Sequence, residues 1–213
     1  MDPAEPYLTR LRLGVAYLRK HAYLRASLLA STMMNIAAFI IQAVLILFAT
    51  RHLHMTPGRI GLALSIGATG GLLGAITAAP IAARIGAGRT IAVGVGLNVL
   101  PFAGLAIAGA TPDSGTLAFA AAEFISAWAI MLFDINNNAL RAVVTADDMR
   151  GRVSGAYATV NYGSRPIGAL LGGWSATAFG VPTTLIIAAA IGTLASSWII
   201  RSPIADVRAI TDL

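Results

Sequence analysis

Six stretches of this chain read as segments long and apolar enough to cross a lipid bilayer, and no other feature limits its fold as tightly. A crossing helix needs about 20 mostly apolar residues to cover about 30 Å of hydrocarbon. Runs of that kind, bounded by charge or turn residues, occupy 26–50, 60–83, 90–110, 116–140, 154–179 and 184–200. The connectors at 51–59, 84–89, 111–115, 141–153 and 180–183 each hold glycine, proline or charge, as expected where backbone returns to water or headgroups. Composition agrees: 57% of the 213 residues are hydrophobic and 11% are charged, against about 25% charged in soluble domains. A soluble enzyme, a nucleic-acid module and a disordered tail are poor readings. The absence of cysteine removes disulfides, thiolate metal sites and thiol catalysis.

The net charge of +6 suggests nucleic acid only until the cations are placed. Arg10, Arg12, Arg19, Lys20, Arg25, Arg84, Arg89, Arg141, Arg150, Arg152, Arg201 and Arg208 fall on one side of the six-span topology, and Arg51 and Arg59 on the other. Cytoplasmic flanks carry the excess of Lys and Arg. That places both termini in the cytoplasm of a multi-pass protein of the cell (inner) membrane, with Arg165 left inside a span. Residues 1–25 lack the apolar core of a cleaved signal peptide. They read either as an amphipathic interfacial helix, with Leu11, Val15, Leu18 and Ala22 on one face, or as a charged linker ahead of the first span. The organisation is thus a lead-in over 1–25, an all-α transmembrane domain over 26–202 and a cytoplasmic tail over 203–213.

The six spans divide into two groups of three, with a glycine-rich middle member in each. Gly67, Gly70, Gly71 and Gly74 mark the second span, and Gly163, Gly168, Gly172 and Gly173 the fifth. Small residues at such spacing let membrane helices pack closely. Gly67, Gly70, Gly74, Gly168 and Gly172 are the candidates for that role, and repeated triples are a known plan of secondary transporters.

Several strings carry a family resemblance. They are residues 14–25 (GVAYLRKHAYLR), 56–74 (TPGRIGLALSIGATGGLLG), 148–157 (DMRGRVSGAY) and 163–173 (GSRPIGALLGG). Over nearly its whole length the chain resembles the carboxy-terminal half of major facilitator superfamily exporters such as the enterobactin and macrolide efflux proteins. The turn 84–89 resembles the family's basic loop through Arg84, Gly86 and Arg89, although the acid expected before the arginine is Ala83. Arg150, Gly151 and Arg152 belong to the second such string. The resemblance implies a twelve-helix carrier in two halves, of which six helices as two three-helix repeats are present here. It therefore implies a companion, either a separate amino-terminal six-helix half or a second copy of this chain. It further implies small-molecule export by alternating access, without cofactor or metal, and no enzymatic activity.

Ionisable groups at bilayer depth are costly and usually functional. Glu123 and Asp134, eleven residues apart in the fourth span, share one helical face with Ala127, Ile130, Asn137 or Asn138, and Arg141. At ~1.5 Å per residue Arg165 lies roughly 6 Å in height from Asp134 and roughly 11 Å from Glu123, which makes Asp134 its expected partner. That pair is either a static clamp or a proton-sensitive coupling element. Pro166 predicts a local break in helix hydrogen bonding beside the charge. By the resemblance, Asn35, Gln42 and Asn137 face substrate, with interhelical hydrogen bonding as the competing role. An intramembrane serine protease fails because His21, His52 and His54 lie in flanks or loops, and an aspartyl one because Asp134 is the lone aspartate within a span. No phosphate loop, zinc-binding histidine pair or dinucleotide fingerprint occurs. A self-pairing channel or structural membrane module is the alternative from another class.

Overall fold

The computed structural model describes residues 6–108 and 112–210. Residues 1–5 of the expected lead-in, 109–111 at the end of the third expected span and the start of its connector, and 211–213 of the expected tail lie outside them. Among the described residues every regular element is helical: α1 (Tyr7–Lys20), α2 (Ala22–Arg51), α3 (Pro57–Ile85), α4 (Ala87–Ala108), α5 (Pro112–Val144), α6 (Arg150–Phe179) and α7 (Val181–Ile200), with short 3-10 turns at Asp147–Met149 and Pro203–Asp206.

The local chemistry accounts for the boundaries. Thr56 caps α3, its hydroxyl accepting from the Arg59 N–H, and Pro57 opens the helix where a missing N–H costs nothing. Gly86 (φ 93°) ends α3 and Gly180 (φ 85°) ends α6. Both hold a left-handed backbone open to glycine at little cost, so each break shrinks to one residue. The turns expected over 84–89 and 180–183 are therefore mostly helix.

Among the described residues five segments are able, by length and composition, to cross a membrane: α2, α3, Ala87–Ile107 within α4, Ser114–Val144 within α5, and α7. α6 matches them in length, but Arg150, Arg152, Asn161, Arg165 and its glycines dilute its hydropathy. The sixth crossing expected over 154–179 thus forms a helix without belonging to that apolar set.

α3 packs on α5 and α6 on α2, while α4 lies against α5 and α7, and α7 also against α2. Bilayer lipid is as apolar as leucine, so close backbone approach does most of the holding. A Cβ added at Gly67 would lie 2.6 Å from the Glu123 Cβ, and one at Gly74 2.6 Å from the Trp128 carbonyl. Gly70 sits as tightly on Phe124. On α6, Gly168 and Gly172 meet the backbone of Ile36 and Ile40 in the same way. The outward faces carry Leu62, Leu72 and Ile76 on α3, and Ile167, Leu170 and Trp174 on α6, all exposed. Such surface suits lipid or protein, not water.

Two flanking segments are more tightly bound than a lead-in and a tail need be. α1 docks on α6: Leu18 is fully buried against Val153 and Ala156, and Tyr17 Oη accepts from the Ala146 N–H at 3.4 Å. α1 is thus a packed strut as well as a basic amphipathic helix. After α7 the chain turns back so that Ile204 and Val207 join Ala87, Ile91 and Ile199 in a buried cluster. The Ala87 and Gly88 N–H groups, otherwise unpaired at the start of α4, donate to the Arg208 and Val207 carbonyls, both at 3.0 Å.

Candidate functional site

The buried apolar residues form separate clusters, and between them a cavity of about 620 Å³ opens along α2, α5 and α6. α5 contributes the stripe read from the sequence: Glu123, Ala127, Ile130, Asp134, Asn137, Asn138 and Arg141 all line it. α2 contributes Asn35 and Gln42, and α6 contributes Tyr157, Asn161 and Arg165. The structure therefore brings Glu123, Asp134, Arg165, Asn35, Gln42 and Asn137 to one cavity.

Their partners differ from the expected ones. No ion pair joins Asp134 to Arg165 among the described residues. Arg165 Nε instead donates to Asn35 Oδ1 at 3.1 Å, and its guanidinium lies 4.2 Å from the Tyr162 ring centre and 5.2 Å from that of Phe39. The correction has a simple cause. Height along the helices was legible from spacing, but α5 packs on α3 and α4 whereas α6 packs on α2, so the two side chains stand on opposite walls. Arg141 and Arg165 line the same cavity as Asp134 without pairing with it among the described residues. Neither Glu123 nor Asp134 has a hydrogen bond or ion pair among the described residues, so both carboxylates present free acceptors to the cavity.

The α2–α6 wall is a ladder of polar rungs in parallel register. Ser27 meets Tyr157, Ser31 meets Asn161 and Asn35 meets Arg165, each pair 130 positions apart. Asn35 Nδ2 also donates to Asn161 Oδ1 and the Ser31 carbonyl. Beyond the top rung the contact passes to Gly168 and Gly172, so α6 runs unbroken through Pro166 with α2 beside it. One wall thus combines hydrogen bonds at one end with backbone approach at the other, and each holds Arg165 in place.

Asn137 is 2% exposed, and both ends of its amide are bonded: Ser27 Oγ donates to its Oδ1 and its Nδ2 donates to Tyr157 Oη at 3.0 Å. Over the same ring the Arg141 guanidinium stacks at 3.7 Å and donates to Asn138 Oδ1 at 3.3 Å. Asn137 thus takes the interhelical hydrogen-bonding role, tying α2, α5 and α6 into a knot while still lining the cavity. Asn35 is committed to the ladder in the same manner. Gln42 alone of the three is exposed and without a hydrogen bond among the described residues. Tyr157, Asn161, Ser27 and Ser31 are not among the site residues expected from the sequence, although serine, serine and asparagine at 27, 31 and 35 form a four-residue period, as do 157, 161 and 165.

The loop residues sit at the end of the bundle that carries α1 and the C-terminal segment. Arg84 and Arg89 flank Gly86 and are exposed, lining a second cavity with Arg208. Arg150 pairs with Asp147 at 2.9 Å and donates to the Ala142 carbonyl at 3.3 Å, Gly151 is exposed, and Arg152 donates to Met149 Sδ at 3.8 Å. No group of acidic, histidine or cysteine side chains able to hold a metal occurs among the described residues.

No curated protein and no solved structure matches the chain. The family model described as the Major Facilitator Superfamily matches residues 28–210, from the start of α2 through the C-terminal 3-10 turn. A polar, charge-bearing cavity enclosed by apolar helices is the architecture such a carrier requires, and the chain belongs to the Major Facilitator Superfamily of membrane transporters.

Proposed function

We propose that the chain exports a small amphipathic molecule by alternating access, driven by a proton gradient, as one half of a two-part carrier resembling the enterobactin and macrolide exporters. α6 is the sixth crossing, because it lies alongside α2 over most of its length. Both termini face the cytoplasm, following the positive-inside distribution of arginines. The companion is an amino-terminal six-helix half or a second copy, covering the exposed apolar faces of α3 and α6. The reciprocal packing of α3 on α5 and α6 on α2 supports two three-helix repeats.

The observation that carries the reading is the division of charge across the cavity. Glu123 and Asp134 stand unpaired on the α5 wall, and Arg165 is fixed on the opposite wall by Asn35, Tyr162 and Phe39. Ionised Asp134 draws α5 toward Arg165 through a site from which water is partly excluded, and protonation removes that attraction. The proton thereby shifts the balance between two arrangements of the walls, which is what coupling requires. Gln42, open to the cavity, is the amide available to substrate.

The test is gradient-driven uptake of the amphipathic dye Hoechst 33342 into everted membrane vesicles containing the protein. Asp134→Asn is expected to leave the protein folded and to abolish dependence on the proton gradient. Unchanged gradient-driven uptake in Asp134→Asn, or dye flux in the native protein that persists after the gradient is collapsed, would refute the coupling role.

A further inference from the structure

A third cavity of about 490 Å³ lies outside the transport site, as a groove between α2 and α7 on the outer surface of the bundle. Its walls are Ala26 and Met33 from α2 and Leu194 and Trp198 from α7, and Arg25 and Arg201 stand at one end. Both helices are among the segments able to cross a membrane. From Arg25 to Met33 the α2 wall rises roughly 12 Å at ~1.5 Å per residue. The groove thus passes from charge into hydrocarbon over the depth of a glycerol backbone and upper acyl chain. Among the described residues no acidic side chain lines it. The hydrogen bond of Arg25 is to the Arg19 carbonyl at 3.4 Å, and Arg201 has no side-chain partner among the described residues. Trp198 is 43% exposed beside them, where an amphipathic ring suits the headgroup boundary.

We propose that this groove binds one membrane phospholipid with an anionic headgroup, its phosphate on Arg25 and Arg201 and an acyl chain along Met33 and Leu194. Charge complementarity selects the lipid: two arginines at the mouth of an apolar trough, with no acidic side chain among its described lining residues, discriminate a net negative headgroup from a zwitterionic one. Arg84 and Arg208, at the same end of the bundle, line a different cavity that also holds Asp206. They serve as a control for general attraction to an anionic surface.

The experiment is quenching of tryptophan fluorescence by brominated acyl chains in phosphatidylcholine bilayers containing a minor fraction of either brominated phosphatidylglycerol or brominated phosphatidylcholine. The Trp198 contribution is the difference between the native protein and Trp198→Phe, which separates it from Trp128 and Trp174. Two arginines at an anionic headgroup give an expected preference of about 30-fold for the glycerol lipid, weakening with salt. Arg25→Gln with Arg201→Gln is expected to abolish that preference, and Arg84→Gln with Arg208→Gln to leave it. Equal quenching by the two lipids in the native protein overturns the proposal without need of any variant. A preference that survives the first pair of substitutions, or that the second pair removes as fully, also overturns it.

Discussion

Gly172 and Gly173 are adjacent in sequence, yet substituting each by alanine is expected to move stability in opposite directions. A Cβ at Gly172 would lie 2.8 Å from the Ile40 carbonyl oxygen and 2.9 Å from the Ala43 Cβ, whereas one at Gly173 meets nothing within 4 Å. The obstructing atoms at Gly172 include backbone, so no rotamer change relieves the clash and α2 must move away from α6. Overpacking of this kind costs about 1–3 kcal/mol. Replacing a mid-helix glycine by alanine returns about 0.5–1 kcal/mol, which is the whole effect at Gly173 and a partial offset at Gly172. The two variants should therefore differ by about 2 kcal/mol, or about 4–8 °C in Tm for a chain of this size. Thermal unfolding in detergent micelles, followed by helical circular dichroism, measures the gap. Because the glycine contact continues the α2–α6 ladder, Gly172→Ala should also loosen the bond between Asn35 and Arg165. Equal shifts of the same sign in the two variants would refute the claim that backbone contact at Gly172 holds α6 to α2.

Two further outcomes follow from the packing. Tyr157→Phe keeps the ring under Arg141 but leaves the buried Asn137 Nδ2 without its acceptor. A loss of about 1–3 kcal/mol is expected in the same unfolding assay, and no loss would show that the knot adds nothing to stability. Removing residues 203–213 strips buried Ile204 and Val207 from the cluster around Ile91 and uncaps the start of α4. At about 1.5–3 kcal/mol per buried aliphatic side chain, the truncated chain should melt well below the full one, and faster amide exchange at Ala87 and Gly88 should accompany the change.

Much of the site was legible along single helices. The eleven-residue interval from Glu123 to Asp134 sets their shared face whatever surrounds them, because helical geometry is local. The same holds for the glycines of α3 and α6, whose spacing marks a contact face before the partner is known. The packing of α1 and of Ile204 and Val207 escaped notice because a few apolar residues in a charged flank suit a lipid surface as well as a protein one.

What the sequence by itself determined is the set of long apolar helices, their glycine faces and the polar stripe on α5, since each follows from residue type and helical period. Only the tertiary structure decided who pairs with whom. The choice of α2 as the neighbour of α6 gives Arg165 to Asn35 and the Phe39 ring, beside Tyr162 of its own helix, and leaves the Asp134 carboxylate facing the cavity. Height is a property of one helix, whereas partnership depends on how several helices are arranged around a cavity.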